Sequence, residues 1–309
     1  MTRAVGVAVV LAFGVTALSA QDDPPVFRAT ASGVRVDVAV TERGRPVTGL
    51  GLTDFAILDS GVAQQAVSLS VGKLPIDVTI ALDVSGSVQG PGLRDLRRAV
   101  DQVRERLGSD DRLKLLTFSD RIQRLADFTD PKVDTNRVFG EIVPAGGTAI
   151  FDTLAVALSS KTSSDRRQLV MLFSDGVDTL SVIDPETLID VAQRSTPMLA
   201  FVLSGPMPID LGARAGLGGN PAFITTPAST SPDRLVAVLA AETGGVVIYS
   251  AVAAEVASRF NQVLDNFRAA YVLHYTPTGV PEKGFHPLTV SVTRRGQYDI
   301  RARRGYMSE

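Results

Sequence analysis

The stretch IDVTIALDVSGS, residues 76–87, decides the fold of this chain. Its first part is apolar and β-branched, which is typical of a parallel strand buried on both faces, and polar and glycine residues follow. The pattern therefore places Asp83, Ser85 and Ser87 at the carboxyl end of a buried strand. In open α/β sheets this is the edge where ligands bind.

Two later segments bring further polar side chains to the same edge. In PAGGTAIFD, residues 144–152, a glycine pair precedes an apolar-periodic stretch, so Thr148 falls on a loop that opens a helix. In QLVMLFSDG, residues 168–176, a strand is again followed by an aspartate, Asp175. Hard cations such as Mg²⁺ take oxygen ligands, and two carboxylates with three hydroxyls make an incomplete shell. The sequence predicts a metal site formed by Asp83, Ser85, Ser87, Thr148 and Asp175.

The first segment taken alone has a second interpretation. An aspartate and serines after a strand also form Asx or Ser turns that cap the next helix. Three segments in order, each at a strand end or a helix start, favour the metal site. Asp152 is interpreted differently, as a first-turn helix residue favoured by the helix dipole.

The motifs DVSGS (83–87), GGT (146–148) and FSDG (173–176) together resemble the metal-ion-dependent adhesion site of von Willebrand factor type A (VWA) domains. The resemblance implies that the three hydroxyls ligate the cation and that Asp83 and Asp175 ligate it directly or through water. It also implies that a partner protein's Asp or Glu completes the shell. Mg²⁺ is the expected ion, with Mn²⁺ or Ca²⁺ as alternatives.

Composition sets further limits. With 309 residues, 45% of them hydrophobic, the chain can bury a large core. The formal charge of −2 and the lack of a long basic run give no reason to expect nucleic-acid binding. The chain has no cysteine, which excludes disulfides, a thiolate zinc site and a cysteine nucleophile. Arg301, Arg303 and Arg304 alternate with small or apolar residues and are interpreted as the solvent face of a strand.

Residues 1–20 are typical of a secretory signal peptide. Arg3 precedes an apolar stretch that ends in small residues, and acidic residues follow. We expect an exported protein of the periplasm, cell surface or exterior, and the lack of cysteine favours a bacterial envelope. Membrane attachment is expected only if this segment stays uncleaved as an anchor.

Strand and helix patterns predict an α/β fold with a second, all-β part. From residue 77 strands and helices alternate, which indicates a doubly wound, mainly parallel Rossmann-like sheet. Period-2 patterns in 26–74 and 269–309 predict two halves of a small β-sandwich. We therefore expect a VWA domain at 75–268 inserted in that sandwich. The flanking motifs RPVTGL (45–50), DF (54–55) and RRGY (303–306) resemble those of a bacterial group of secreted VWA-related proteins. Residues 204–231, rich in Gly, Pro, Ala, Thr and Ser, form either a functional loop or a tolerated surface insertion.

Three functions are compatible with these features. The first is a non-enzymatic adhesion or binding protein that engages a partner's carboxylate through the cation. The second is a structural or assembly protein that uses metal-independent surfaces. The third is a metal-assisted hydrolase, which the sequence supports least. Both histidines, His274 and His286, lie outside the strand-end loops, and no GxSxG, HExxH or Walker motif is present, so no catalytic residue is predicted. The partner and the oligomeric state are left open.

Overall fold

The computed structural model describes residues 33–88, 90–128, 133–160, 163–204, 232–250 and 255–308. The expected signal peptide and nearly all of the 204–231 segment lie outside the described residues. Gly33–Glu309 forms one compact unit. Within the described ranges, the helices are too short or too polar to span a membrane.

The strands, in chain order, are β1 (Val34–Glu42), β2 (Arg45–Pro46), β3 (Phe55–Asp59), β4 (Val62–Gln64), β5 (Ala66–Val71), β6 (Ile76–Asp83), β7 (Arg112–Phe118), β8 (Ile122–Ala126), β9 (Arg167–Ser174), β10 (Met198–Ser204), β11 (Val246–Ser250), β12 (Tyr271–Tyr275), β13 (Gly284–Val292), β14 (Asp299–Ala302) and β15 (Gly305–Ser308). The helices are α1 (Pro91–Arg106), α2 (Thr135–Gly140), α3 (Ile150–Leu158), α4 (Pro185–Arg194), α5 (Pro232–Thr243) and α6 (Val256–Ala269).

The central sheet has the strand order β11-β10-β9-β6-β7-β8. All neighbours in it are parallel except β7 and β8, which form an antiparallel hairpin at one edge. Every residue of β6 is buried, as its apolar sequence predicts. Helices cover both faces, because one core cluster contains α1 and α6 and the other contains α3, α4 and α5. This is the predicted doubly wound layer.

The second part is a sandwich of two antiparallel sheets. One has the order β14-β1-β12-β5, with β2 beside β1, and the other has the order β15-β13-β3-β4. Their facing side chains share one core, in which Val36 and Val38 of the first sheet join Ile57 and Leu288 of the second. Both sheets contain strands from before and after the α/β layer, which alternate in the first sheet and meet at the β13–β3 pair in the second. The amino- and carboxyl-terminal segments therefore build the sandwich together. The predicted fold class is therefore confirmed.

The sequence patterns missed several short elements. They gave no indication of α2, whose first turn is capped by the Asp134 side chain, or of the strands β2, β4 and β15. A two-residue turn joins β3 to β4, with Ser60 at φ +50° and Gly61 at φ +80°. Positive φ at both central residues is typical of a type I′ hairpin. Strands of two to four residues are too short to show a period in the sequence.

Candidate metal centre

Asp83 forms the buried floor of the predicted site. It is the last residue of β6 and is 0% exposed, between the ends of β7 and β9. Its Oδ1 accepts a hydrogen bond from the Ser85 backbone N–H at 2.9 Å, and its Oδ2 accepts one from the Ser174 hydroxyl at 2.6 Å. Burial raises the pKa of Asp83, and the Asp175 carboxylate adds to this effect.

A chain of hydrogen bonds joins the floor to the surface. The hydroxyl oxygens of Ser85 and Ser87 lie 3.0 Å apart, and the Ser87 hydroxyl donates to Oδ1 of Asp175 at 2.8 Å. Ser85 is buried, Asp175 is half-buried and Ser87 is exposed. The hydrogen-bonded chain therefore runs from a buried floor to a solvent-exposed hydroxyl.

Thr148 reaches this group through a loop with little room for side chains. Gly146 has φ +82°, and a Cβ atom on Gly147 would lie 2.7 Å from the Leu180 side chain. The Gly146 carbonyl accepts from the Gly86 N–H at 3.3 Å, which fixes this loop against the serine loop. The Thr148 hydroxyl oxygen lies 3.8 Å from the position a Cβ would occupy on Gly176, next to Asp175. It has no hydrogen-bond partner among the described residues.

Residues that the sequence reading did not single out hold Thr148 in place. The Thr148 backbone N–H donates to the Thr179 hydroxyl at 3.0 Å, and the Thr148 carbonyl accepts from the Thr179 N–H at 2.8 Å. Asp178 accepts from the Phe151 N–H and from Ser181. These side chains are polar residues on an irregular segment, where sequence gives little signal beyond turn composition.

Asp152 lies in the first turn of α3, as predicted. Its carboxylate accepts hydrogen bonds from the backbone N–H groups of Val182 and Ile183 at 2.9–3.1 Å. It therefore ties the segment after Asp175 to the helix that follows Thr148. This second role was not visible in the sequence, because the contact joins residues about 30 positions apart.

The arrangement fits a hard cation better than a soft one. Its polar atoms are carboxylate and hydroxyl oxygens, the ligand type that Mg²⁺, Mn²⁺ and Ca²⁺ prefer. Within the described residues there is no group of three His, Cys, Asp or Glu side chains that could hold a metal. Any cation here would therefore depend on the serine and threonine hydroxyls. The raised pKa of Asp83 is a feature that a nearby bound cation would counteract.

The histidines lie away from this edge, as predicted. His274 is in β12 and His286 is in β13, both strands of the sandwich. His286 is buried against Asp59, with its Nδ1 3.0 Å from Oδ1 of that residue. No histidine among the described residues is therefore positioned as a base beside Asp83.

Comparisons with known proteins agree with the fold and the motifs. Residues 77–206 match the von Willebrand factor type A domain family. A human voltage-dependent calcium channel subunit alpha-2/delta-2 is 30% identical over 116 residues, which cover 33% of this chain and 10% of that protein. The pig inter-alpha-trypsin inhibitor heavy chain H4 is 26% identical over 126 residues, which cover 37% of this chain and 14% of that protein. The match thus spans a small fraction of either relative.

Solved structures give weaker likenesses. A von Willebrand factor type A protein from Catenulispora acidiphila has a TM-score of 0.48 at 12% identity, covering 82% of this chain and 74% of that one. Proximal thread matrix protein 1 from the mussel byssus, described with a zinc-occupied MIDAS motif, has a TM-score of 0.49 at 16% identity, covering 66% of this chain and 48% of that one.

The chain contains a VWA domain at residues 77–206, which include β7, β8, β9 and β10 and nearly all of β6. Domains of this family are typically binding or adhesion modules and are usually not catalytic.

Proposed function

We propose that this protein is a non-enzymatic binding protein that engages a partner protein through a divalent cation. The cation, Mg²⁺ in our proposal, is held by Asp83, Ser85, Ser87, Thr148 and Asp175 and completed by an Asp or Glu of the partner. One observation carries the proposal. The hydrogen-bonded chain from buried Ser85 through Ser87 to Asp175 reaches solvent above a buried carboxylate.

The residues of this chain have separate tasks in the proposed mechanism. Asp83 supplies buried negative charge and is positioned by Ser174 and by the Ser85 backbone. The neutral hydroxyls add oxygen ligands without adding charge. When bound, the cation keeps positive charge that attracts an incoming carboxylate. A charge-assisted contact of this kind is stronger where the interface excludes water.

Exposed apolar side chains lie in the loops around the same edge, which supports a protein partner. Val143 is 84% exposed in the segment before Thr148, and Val182 is 91% exposed in the segment after Asp175. Val177 and Leu180 in the latter segment are also exposed. Large exposed apolar side chains grouped around a polar site are a common mark of a protein interface. They would exclude water from the contact between the cation and the partner.

We further propose that the chain acts after export. The support is the signal-like pattern of residues 1–20 and the lack of cysteine. In this proposal the protein is bacterial and acts in the periplasm, at the cell surface or outside the cell. Cell fractionation of the tagged full-length protein tests it, and recovery in the cytoplasm would contradict it.

Isothermal titration of the purified chain with MgCl₂ and MnCl₂ tests the cation site. We expect saturable binding that is lost in Thr148→Val, since valine matches threonine in shape but has no hydroxyl. Asp190→Asn is the matched control, because Asp190 is 53% exposed on α4, away from the site. Equal affinity in wild type and Thr148→Val would contradict the proposed ligand set.

Selection from a displayed peptide library tests the carboxylate partner. Peptides are captured by the immobilised chain in MgCl₂ and eluted with a chelator. We expect selected peptides to share an Asp or Glu and to lose binding when it becomes Asn or Gln. Partner binding that persists in chelator would instead support assembly through metal-independent surfaces.

A further inference from the structure

The opposite edge of the central sheet meets the sandwich, and this junction carries many arginines. β9 begins with Arg167 at this edge. In β1, Val36 and Val38 face the sandwich core, so Arg35 and Asp37 face the α/β layer. Nε of Arg167 donates to Oδ1 of Asp37 at 2.5 Å, which ties the two layers together.

This contact satisfies only one of the hydrogen-bonding nitrogens of Arg167. Its side chain is 1% exposed, and its Nη1 and Nη2 atoms have no hydrogen-bond partner among the described residues. Its guanidinium lies over the Phe267 ring at 4.0 Å, which contributes a cation–π contact but no hydrogen bond. Buried guanidinium N–H groups without acceptors are costly.

Two more arginines, Arg35 and Arg303, line a cavity together with the same aspartate. Nε of Arg35 lies 4.0 Å from Oδ2 of Asp37, and its Nη1 donates to the carbonyls of Ser164 and Arg166. Arg303 donates only to backbone carbonyls, those of Gly305, Gln193 and Ser195. Asp37 therefore pairs with Arg167 and Arg35, whereas Arg303 lines the same cavity as Asp37 and interacts with it only through charge.

The other nearby acid is already engaged. Glu242 accepts from the Gln193 side chain at 3.2 Å and lies 3.6 Å from Arg304. Burial lowers the pKa of Arg303, and Asp37 and Glu242 oppose this effect. Because a guanidinium stays protonated in proteins, the junction keeps excess positive charge.

A small cavity of about 20 Å³ lies among these groups. That volume admits one water molecule or one monatomic ion. Thr196 is exposed, so the cavity has a route to solvent. The lining consists of Arg35, Asp37, Thr196, Met198, Thr243 and Arg303.

We propose that this cavity is a binding site for a small inorganic anion, with chloride as the physiological candidate. Arg35 and Arg303 line the site and supply its positive charge, and Asp37 is the one carboxylate in the lining. Arg167 does not line the cavity, but it donates to Asp37 and so reduces what that carboxylate can offer to the other two arginines. The ion would balance charge that Asp37 alone leaves uncompensated. It would also join the sandwich to the VWA domain, since Arg35 and Arg303 belong to the sandwich segments and Thr196 and Thr243 to the α/β layer. The inference is independent of the metal centre.

Thermal unfolding of the full chain in NaCl and in sodium gluconate at equal ionic strength tests this site. An ion that binds the folded state stabilises it in a saturable way. We expect a higher unfolding temperature in chloride, rising to a plateau, and no such difference in Arg303→Gln. Arg98→Gln is the control, because Arg98 is 58% exposed on α1 and forms only a surface pair with Asp95; it should behave as wild type.

Diffraction from wild-type crystals soaked in bromide gives a second test that needs no variant. We expect an anomalous peak in the cavity, within hydrogen-bond distance of Arg35 or Arg303. If the cavity shows only water, and if chloride and gluconate give equal unfolding temperatures in the wild type, the anion site does not exist. If Arg303→Gln fails to fold, Arg35→Gln replaces it in the unfolding assay.

Discussion

Asp59 in the sandwich and Asp83 in the VWA domain are both 0% exposed, yet their environments differ. Asp59 accepts hydrogen bonds from the hydroxyls of Tyr275 at 2.7 Å, Tyr306 at 2.9 Å and Ser60 at 3.0 Å. His286 Nδ1 lies 3.0 Å from it as well. Asp83 has two hydrogen-bond partners, Ser85 and Ser174.

The pKa values of the two carboxyls move in opposite directions. Burial raises both, but at Asp59 the hydrogen bonds from Tyr275, Tyr306 and His286 outweigh it and hold the pKa below its usual value. At Asp83 burial prevails and the pKa is raised. Asp59 is therefore satisfied by its own chain, whereas Asp83 is left with charge that an outside group can compensate. The two carboxylates are equally buried, so the number of hydrogen bonds from their own chain is what distinguishes the structural Asp59 from Asp83 of the proposed metal site.

The largest expected effect is on stability at Asp59. Asp59→Ala leaves the buried Tyr275 hydroxyl and His286 without their acceptor, so the free energy of unfolding should fall by about 3–5 kcal/mol. Urea unfolding followed by circular dichroism measures it. Asp190→Ala, at an exposed surface pair, should change stability by less than about 0.5 kcal/mol. If Asp59→Ala lowers the free energy of unfolding no more than Asp190→Ala does, Asp59 is not a structural carboxylate and the contrast with Asp83 is wrong.

The second expected effect is on cation binding at Asp83. Asp83→Asn keeps the size of the side chain but removes its charge, so Mg²⁺ affinity measured by calorimetry should fall at least ~100-fold, or about 2.7 kcal/mol. Stability without metal should change by less than about 1 kcal/mol, because the lost charge was already disfavoured by burial. Asp59→Asn is the reciprocal control and should keep Mg²⁺ affinity. If Asp83→Asn and Asp59→Asn lose Mg²⁺ affinity equally, the loss comes from damage to the fold and Asp83 is not a ligand.

A smaller effect should separate the two tyrosines of the Asp59 cluster. Tyr275 is 0% exposed, so Tyr275→Phe should cost about 2 kcal/mol, as expected for a buried hydrogen bond to a charged group. Tyr306 is half-buried, so water replaces part of its contact and Tyr306→Phe should cost about 1 kcal/mol. Urea unfolding of both variants checks the order of the two losses in stability, and the reverse order would contradict this account of burial.

Burial and the Asp59 contact also raise the pKa of Tyr306 to about 12.

The smallest expected effect is the acid response of Asp59. Its folded-state pKa is below the ordinary value of 3.8, so its contribution to stability is fully present above that pH. The contribution is lost as pH falls through the folded-state pKa. The stability difference between wild type and Asp59→Asn should therefore shrink as pH falls from 5 to below 3.8, measured by urea unfolding at each pH. A difference that stays constant over this range would show that the Asp59 charge is not stabilised.

The polar site was predictable because each of its segments carries its own local signal. Asp83 and Asp175 come at the ends of short apolar runs whose length and bordering polar residues favour buried strands, and Thr148 follows a glycine pair before a helix. The rule that parallel strands end at one edge then brings them together. The hydrogen bonds from Ser174, Thr179 and Asp178 were not predictable, because they depend on how an irregular segment packs.

For Arg301, Arg303 and Arg304, near the carboxyl end of the chain, the sequence pattern did not predict the surroundings of the side chains. Their alternation predicted the solvent face of a strand, and Arg304 is indeed exposed. Arg301 and Arg303 are half-buried, and Arg303 donates to carbonyls of the segment after α4. Alternation along a strand shows which side chains lie on the same face. It does not show whether that face is exposed to solvent or packed against another part of the chain.

The sequence by itself predicted the doubly wound layer with its longer strands and helices, and the segments that carry the five proposed site residues. It did so because hydrophobic period and turn residues are local properties of the chain. Only the tertiary structure decided that Asp59, the last residue of β3, lies in a buried cluster with Tyr275, Tyr306 and His286. The same holds for the arginines gathered around Asp37. These contacts join residues more than 100 positions apart, and their energies depend on burial and on partners that no local pattern contains.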